Sequence, residues 1–116
     1  FLSGRMAIAW TGQPHDTPAL ADHPRDYRQI AEAGRLARDG VLTANVGRIG
    51  DGIRLQHETQ IDEGMSPLPE VSTALAWKYC GGGWGGYALY LFFSPSLRDA
   101  WVSEDSSRRP IEPFTR

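Results

Sequence analysis

The segment from Gly81 to Gly86 restricts the fold of this chain more than any other, because five of its six residues are glycine and only Trp84 interrupts them. Glycine has no side chain to pack and loses more backbone entropy on folding than other residues, so packing does not explain the run. Strand-like runs rich in aromatic residues lie on both sides, at 74–80 and 87–93. The sequence therefore predicts a β-hairpin whose tip exposes bare backbone.

Backbone N–H groups in such a tip can form a concavity that binds anions, most often phosphate. The spacing of Gly81, Gly83 and Gly86 also satisfies the dinucleotide-binding pattern, but that pattern must open a helix, whereas a strand pattern follows here. A P-loop is excluded because no Gly-Lys-Ser/Thr follows the glycines and Lys78 precedes them instead. A hairpin turn that binds no ligand remains the alternative.

Hydrophobic periodicity predicts two consecutive amphipathic helices before the hairpin and one helix after it. Three glycines in the second helix, Gly47, Gly50 and Gly52, weaken it by about 1 kcal/mol each unless close packing needs them. The first helix is predicted from the N-cap Asp26 to the stop Asp39-Gly40, and the periodic residues of the second run from Leu42 to Ile61, with Gly64 ending it. Ser66 could cap a short third helix, and Ser94-Pro95 begins the last one.

Two further strands complete the pattern. An apolar run from Arg5 to Thr11 predicts a strand buried on both faces, and a loop without periodicity follows it at 12–24. The last residues, 109–115, can form an edge strand, since Pro110 and Pro113 forbid a central place. The order predicts an α+β fold of the ferredoxin-like, split βαβ type, with an antiparallel sheet and helices on one face, as a single domain over 1–116.

Composition supports one globular domain and excludes some partners. The chain has 116 residues, of which 41% are hydrophobic and 22% charged. A net charge of −2 gives no field that would gather nucleic acid, and no apolar run reaches the length of a membrane span. A single cysteine, Cys80, cannot form an internal disulfide, which fits a cytoplasmic location. The first residue is Phe1, and we expect the chain to be part of a longer protein.

The hairpin resembles the third signature of the GHMP kinases, in which Lys, an apolar residue and a small residue precede a glycine run and an apolar strand. Trp84 departs from it, because the family usually has glycine at that position. Ala9-Trp10-Thr11-Gly12 is similar to the strand and turn of sugar-directed members such as the heptose-phosphate kinases, which often carry Arg where this chain has His15. The resemblance spans about 6–93, and the residues that match the signature are Lys78, Tyr79, Cys80, Gly81, Gly82, Gly83, Gly85, Gly86 and the strand from Tyr87.

The resemblance implies a carboxy-terminal, ferredoxin-like domain of a kinase for a sugar or sugar phosphate. It implies ATP and Mg²⁺ as cofactors, bound mostly by an amino-terminal domain that these residues do not include. No catalytic or metal-binding residue is expected in this chain, which alone should be inactive. The resemblance places the glycine loop 81–86 beside the substrate and phosphate cleft, with Lys78, Thr11, Gly12 and His15 as candidate substrate contacts. A free-standing ligand-binding module and a pseudokinase remain alternatives.

Weaker patterns are better explained without a ligand. His57-Glu58 begins like a zinc protease motif, but Ile61 stands where the second metal ligand must be. We therefore expect His57 to be a partly buried histidine at a helix contact. The acidic and histidine residues between His15 and His23 fit no regular metal scheme and predict a solvated loop. Cys80 has no identifiable base beside it and is not expected to be a nucleophile.

Overall fold

The computed structural model describes residues 2–13, 26–81 and 85–113. The strands found in these parts form one antiparallel sheet in the order β2-β3-β1-β4. This is the ferredoxin-like order that the succession of elements predicted, with two helices in the first crossover. The elements are β1 (Met6–Trp10), α1 (Tyr27–Leu42), α2 (Val46–Asp62), β2 (Ala74–Tyr79), β3 (Tyr87–Phe92), α3 (Pro95–Ser103) and β4 (Arg108–Ile111).

Each helix begins at a polar cap that the sequence supplies. Asp26 accepts a hydrogen bond from the N–H of Gln29, and Asn45 caps α2 in the same way. Ser94 caps α3, and Pro95 follows at the first helical position, where its missing N–H costs nothing. The predicted caps Asp26 and Ser94 are confirmed, whereas α2 begins after Asn45 rather than at Leu42.

One face of the sheet packs against α2. Residues that pair directly across strands share a face, so the pairing of Leu91 with Met6 and Ala76 places these three together. Ile49 and Ile53 of α2 pack on them and form a buried cluster. We call this side of the sheet the α2 face.

The opposite side of the sheet, which we call the α3 face, carries Ala7, Tyr90 and Phe92. Trp101 of α3 packs there, with its ring centroid 4.6 Å from that of Tyr90. The helices therefore do not all share one face, which corrects that detail of the predicted arrangement. The α3 face is completed by the segment 65–71, whose Met65 is buried in the same cluster.

Three details of the predicted elements are wrong: a short third helix, the end of the first helix and the burial of the first strand. The segment after Ser66 forms no helix, because the N–H of Leu68 donates to His57 and the segment packs on the α3 face. The helix α1 continues through Gly40 to Leu42. Gly40 serves packing and does not end the helix, since a Cβ there would lie only 2.6 Å from Ile49 of α2. The strand β1 is not buried on both faces, because Trp10 is 43% exposed on the α2 face.

The edge strand β4 is confirmed at residues Arg108–Ile111 and pairs only with β1. Its Pro110 is tolerated because an edge strand leaves half of its backbone groups unpaired.

The glycines of α2 differ in role. A Cβ at Gly52 would lie 2.7 Å from the backbone oxygen of Ala33, so close packing of α1 on α2 requires this glycine. Gly47 and Gly50 are not constrained in this way, since their nearest contacts are at 3.4 and 3.5 Å.

Candidate functional site

Two turns are joined at the end of the sheet where β1 ends and β3 begins. The N–H and hydroxyl of Thr11 both donate to the carbonyl of Gly86, at 2.9 and 2.7 Å. The N–H of Gly86 donates to the carbonyl of Gln13 at 2.7 Å, and the N–H of Cys80 donates to the carbonyl of Tyr87 at 2.9 Å. The turn at 11–13 and the base of the glycine hairpin therefore form one hydrogen-bonded unit.

The glycines of these turns are required by backbone conformation. Gly12, Gly81, Gly85 and Gly86 have φ values of +87°, +58°, +98° and +77°. Side chains other than glycine are strained in this region. A Cβ at Gly12 or Gly81 would meet nothing within 4 Å, so space is not the constraint at these two positions. The other predicted site residues, Gly82, Gly83, Trp84 and His15, lie outside the described residues.

The hydrogen bonds at the base of the hairpin limit which N–H groups can bind an anion. Thr11, Cys80 and Gly86 already donate their N–H groups to backbone carbonyls. A buried N–H that has a good partner gains nothing by exchanging it. The anion-binding hypothesis therefore concerns the tip of the hairpin, from Gly81 to Gly85, and not its base.

Lys78 and Cys80 lie on the α2 face of β2, beside the hairpin. Lys78 pairs with Leu89, which packs against the α2-face cluster. Burial lowers the pKa of the Lys78 ammonium, and the neighbouring Cys80 opposes this shift. Burial raises the pKa of the Cys80 thiol, which disfavours the thiolate and agrees with a cysteine that is not a nucleophile. In the described parts of the chain no ion pair involves Lys78.

An aromatic pair covers the same end of the α2 face. The rings of Trp10 and Tyr87 are in edge contact, with centroids 5.2 Å apart and an interplanar angle of 65°. Both side chains remain more than two fifths exposed. Sequence reasoning missed this pair, although the β1–β3 register that creates it follows once the two strands are known to be neighbours.

A cavity of about 570 Å³ lies on the opposite, α3 face. Its two walls are the segment 66–73 and the turn from α3 to β4, which includes Glu104 and Arg108. Its floor includes Ala88 and Tyr90 of β3, and at one end it reaches Thr11 and Gly85 of the joined turns. Among the predicted site residues described here, Thr11 and Gly85 thus line the cavity, whereas Lys78, Gly12, Gly81 and Gly86 do not.

A buried polar network fixes one wall of this cavity. His57 is 7% exposed, and its Nε2 accepts a hydrogen bond from the N–H of Leu68 at 3.3 Å. Its Nδ1 lies 3.2 Å from the amide oxygen of Gln60, so the proton resides on Nδ1. Gln60 in turn pairs with both the N–H and the carbonyl of Tyr79. His57 is therefore a satisfied buried histidine, as predicted, but it holds the segment 66–73 rather than the contact between helices.

Within the described ranges, no group of three or more His, Cys, Asp or Glu side chains is placed to hold a metal ion. The helices of the same ranges include none that is long and apolar enough to span a membrane.

Comparison with known proteins supports the fold. No family model matches the chain, and no curated protein matches it. A mevalonate kinase from L. major, solved in complex with R-mevalonate, has a similar structure, with a TM-score of 0.65 and 21% sequence identity. The similarity covers 84% of this chain and 36% of that chain. A likeness at this identity concerns the fold alone, and it confirms the predicted fold, an α+β domain with a four-stranded antiparallel sheet.

Proposed function

We propose that this chain is the substrate-side domain of an ATP-dependent kinase that phosphorylates a hydroxyl group of a sugar or sugar phosphate. One observation carries the proposal: the base of a glycine hairpin is tied to the Thr11–Gln13 turn beside a cavity, in a fold that a mevalonate kinase shares. The chain spans about a third of the length of that kinase, so the remaining parts of the active site would lie in another domain.

Phosphoryl transfer depends on positioning and on compensation of negative charge rather than on covalent chemistry by the protein. Bound ATP and Mg²⁺ would supply the phosphoryl group and neutralise much of its charge. The features of this chain that suit a phosphate are the Lys78 ammonium and the backbone N–H groups of the hairpin tip. The hydrogen bonds of Thr11 and Gly86 tie the base of the hairpin to the 11–13 turn, which supports a preorganised phosphate site at this end of the sheet. Alone, the chain would not catalyse transfer.

The experiment replaces Gly85 by Val in the intact enzyme and measures phosphorylation of a panel of sugars and sugar phosphates. Gly85 has a φ of +98°, where valine is strained, so the tip would change shape while the sheet stays paired. We expect turnover to fall by at least about a hundredfold, the usual loss when one preorganised donor is removed from an active site. Gly34→Ala, on an exposed helix surface with no neighbour within 4 Å, is the control and should keep full activity. Normal turnover of Gly85→Val would refute the role of the tip.

A ligand-binding module without catalysis is the second candidate, and the cavity favours it, since its volume of about 570 Å³ is in the range of small-molecule sites. Such a module would bind a small molecule without consuming ATP. The two candidates separate in one assay of the intact protein: ligand-dependent release of ADP supports the kinase, and saturable ligand binding without ADP release supports the module.

A further inference from the structure

The cavity on the α3 face has the size of a small-molecule site, since such sites usually measure about 300 to 1,000 Å³. Its floor includes the apolar residues Ala88 and Trp101 and the ring of Tyr90, all of them almost fully buried. The hydroxyls of both tyrosines near it are already engaged: that of Tyr79 donates to the carbonyl of Ser66, and that of Tyr90 to the carbonyl of Pro69. The polar chemistry of the cavity therefore lies in its walls.

The walls carry more negative than positive charge. Among the described residues that line the cavity, three are carboxylates, Glu70, Glu104 and Asp105, and one is a cation, Arg108. The backbone N–H of Ser107 donates to Asp105 and lowers the pKa of its carboxyl, which therefore stays ionised near neutral pH. A phosphate placed among these groups would be repelled rather than held.

The guanidinium of Arg108 is already committed to protein groups. It donates to the carbonyl of Trp101 at 2.7 Å and lies 3.5 Å from Glu104, and it stacks over the Trp101 ring at 4.2 Å. Only about a quarter of its side chain is exposed. A cation held by a carbonyl, a carboxylate and an aromatic ring is a poor anchor for an anionic ligand.

The walls are also rich in hydroxyl groups. These groups donate and accept hydrogen bonds, as sugar hydroxyls do, and the carboxylates accept from ligand hydroxyls. An apolar floor suits the C–H surface of a sugar ring or alditol chain. The hydroxyl-bearing residues of the lining, besides the tyrosines, are Ser66, Ser72, Thr73, Ser107 and Thr11.

We propose that this cavity binds an uncharged, polyhydroxylated molecule, an unphosphorylated sugar or alditol, between the segment 66–73 and the α3–β4 turn. The inference rests on the proposed kinase function and narrows it: the acceptor is the neutral sugar and not the sugar phosphate. Thr11 and Gly85, which line one end of the cavity, place the hydroxyl to be phosphorylated next to the glycine hairpin.

The test measures binding to the full 116-residue chain by calorimetry and ligand-observed NMR. The probes are neutral sugars and alditols (glucose, galactose, mannitol), their monophosphates, and an amino alcohol, ethanolamine. We expect each neutral probe that binds to do so at least about tenfold more tightly than its monophosphate. The proposal would be overturned if the monophosphate or ethanolamine bound more tightly than the neutral probe. It would also be overturned if no neutral probe gave saturable binding.

Two glutamates on the surface provide a matched pair of variants. Glu70 lines the cavity and Glu58 lies on α2 outside it, and both are exposed. Glu70→Lys changes the charge of the lining by two units, so the preference for the neutral probe over its monophosphate should shrink by about tenfold. Glu58→Lys changes the net charge equally and should leave that preference unchanged. An equal effect of both variants would show that overall charge, and not the cavity, sets the preference.

Two experimental outcomes distinguish a wrong assignment of the cavity from a wrong kinase proposal. If the chain binds neutral sugars as predicted but the intact enzyme phosphorylates none of them, the cavity stands and the kinase proposal fails. If the intact enzyme phosphorylates only sugar phosphates, the kinase proposal stands and the assignment of the cavity is overturned. Thermal melting of each variant confirms that it is folded before binding is measured.

Discussion

The close crossing of α1 and α2 makes a quantitative prediction about two helical glycines. Alanine is favoured over glycine inside a helix by about 0.5 to 1 kcal/mol, so Gly34→Ala, which meets nothing within 4 Å, should stabilise the chain by that amount. At Gly52 the same gain is opposed by a clash, since the new Cβ would lie 2.7 Å from the Ala33 oxygen and 2.9 Å from the Ala37 nitrogen. Both are backbone atoms, so no side-chain rotation can relieve the contact.

To reach an ordinary contact of 3.4 Å, the two helices must separate locally by about 0.7 Å, and such overpacking costs about 1 to 3 kcal/mol. The net expectation for Gly52→Ala is a loss of up to about 2.5 kcal/mol, and the two variants should differ by the overpacking cost, about 1 to 3 kcal/mol.

Urea unfolding followed by tryptophan fluorescence measures both free energies, with Trp101 as a buried reporter. Gly50→Ala is a second control in the same helix, because its nearest contact is an ordinary 3.5 Å, and it should be neutral or stabilising. If Gly52→Ala proved as stable as Gly34→Ala, the close crossing of the helices would be wrong.

Two further predictions concern the edge of the sheet. Gln60→Ala leaves the buried N–H and carbonyl of Tyr79 without their partner, which should lower the free energy of unfolding by about 3 kcal/mol. In the same urea titration, Gln56→Ala on the same helix should change this free energy by less than about 0.5 kcal/mol. Equal effects of the two variants would contradict the network. Because burial lowers the pKa of Lys78, the folded chain binds fewer protons than the unfolded chain between that lowered pKa and the ordinary value of 10.5, so the stability of the wild type rises with pH in this window. Lys78→Met should therefore be the more stable protein at neutral pH, with a difference that narrows as pH approaches 10.5, and a difference independent of pH would contradict the assignment.

The helices and the strand order were predictable because their signals are local. Asp26 and Ser94 identify helix starts by a side chain that reaches only three residues ahead, and alternating elements restrict the order of the strands. The segment 66–73 was not predictable in the same way. Its path depends on His57, which accepts the N–H of Leu68, and on the hydroxyl of Tyr79, both distant in sequence. A proline-rich segment after a serine favours a helix start only when no such tertiary partner exists.

Glycine illustrates the same division between local and tertiary causes. Asp39-Gly40 has the composition of a helix end, yet Gly40 lies inside α1, where glycine is needed because Ile49 leaves no room for a side chain. At the hairpin the cause is local, since Gly81, Gly85 and Gly86 all adopt positive φ. The sequence around a glycine indicates which backbone conformations are allowed there. The packing contact that requires the glycine can come from another helix or strand.

The register of the sheet separates two parts of the candidate site that the sequence had grouped together. Lys78 pairs with Leu89 and lies on the α2 face, whereas the neighbouring Tyr79 and the cavity lie on the α3 face. A basic group suited to phosphate and an acidic cavity suited to a neutral sugar therefore occupy opposite sides of one sheet. In the proposed kinase, a phosphoryl group can reach both only around the end of the sheet where Gly81 and Gly85 lie. These two glycines carry no side chains that would obstruct that route.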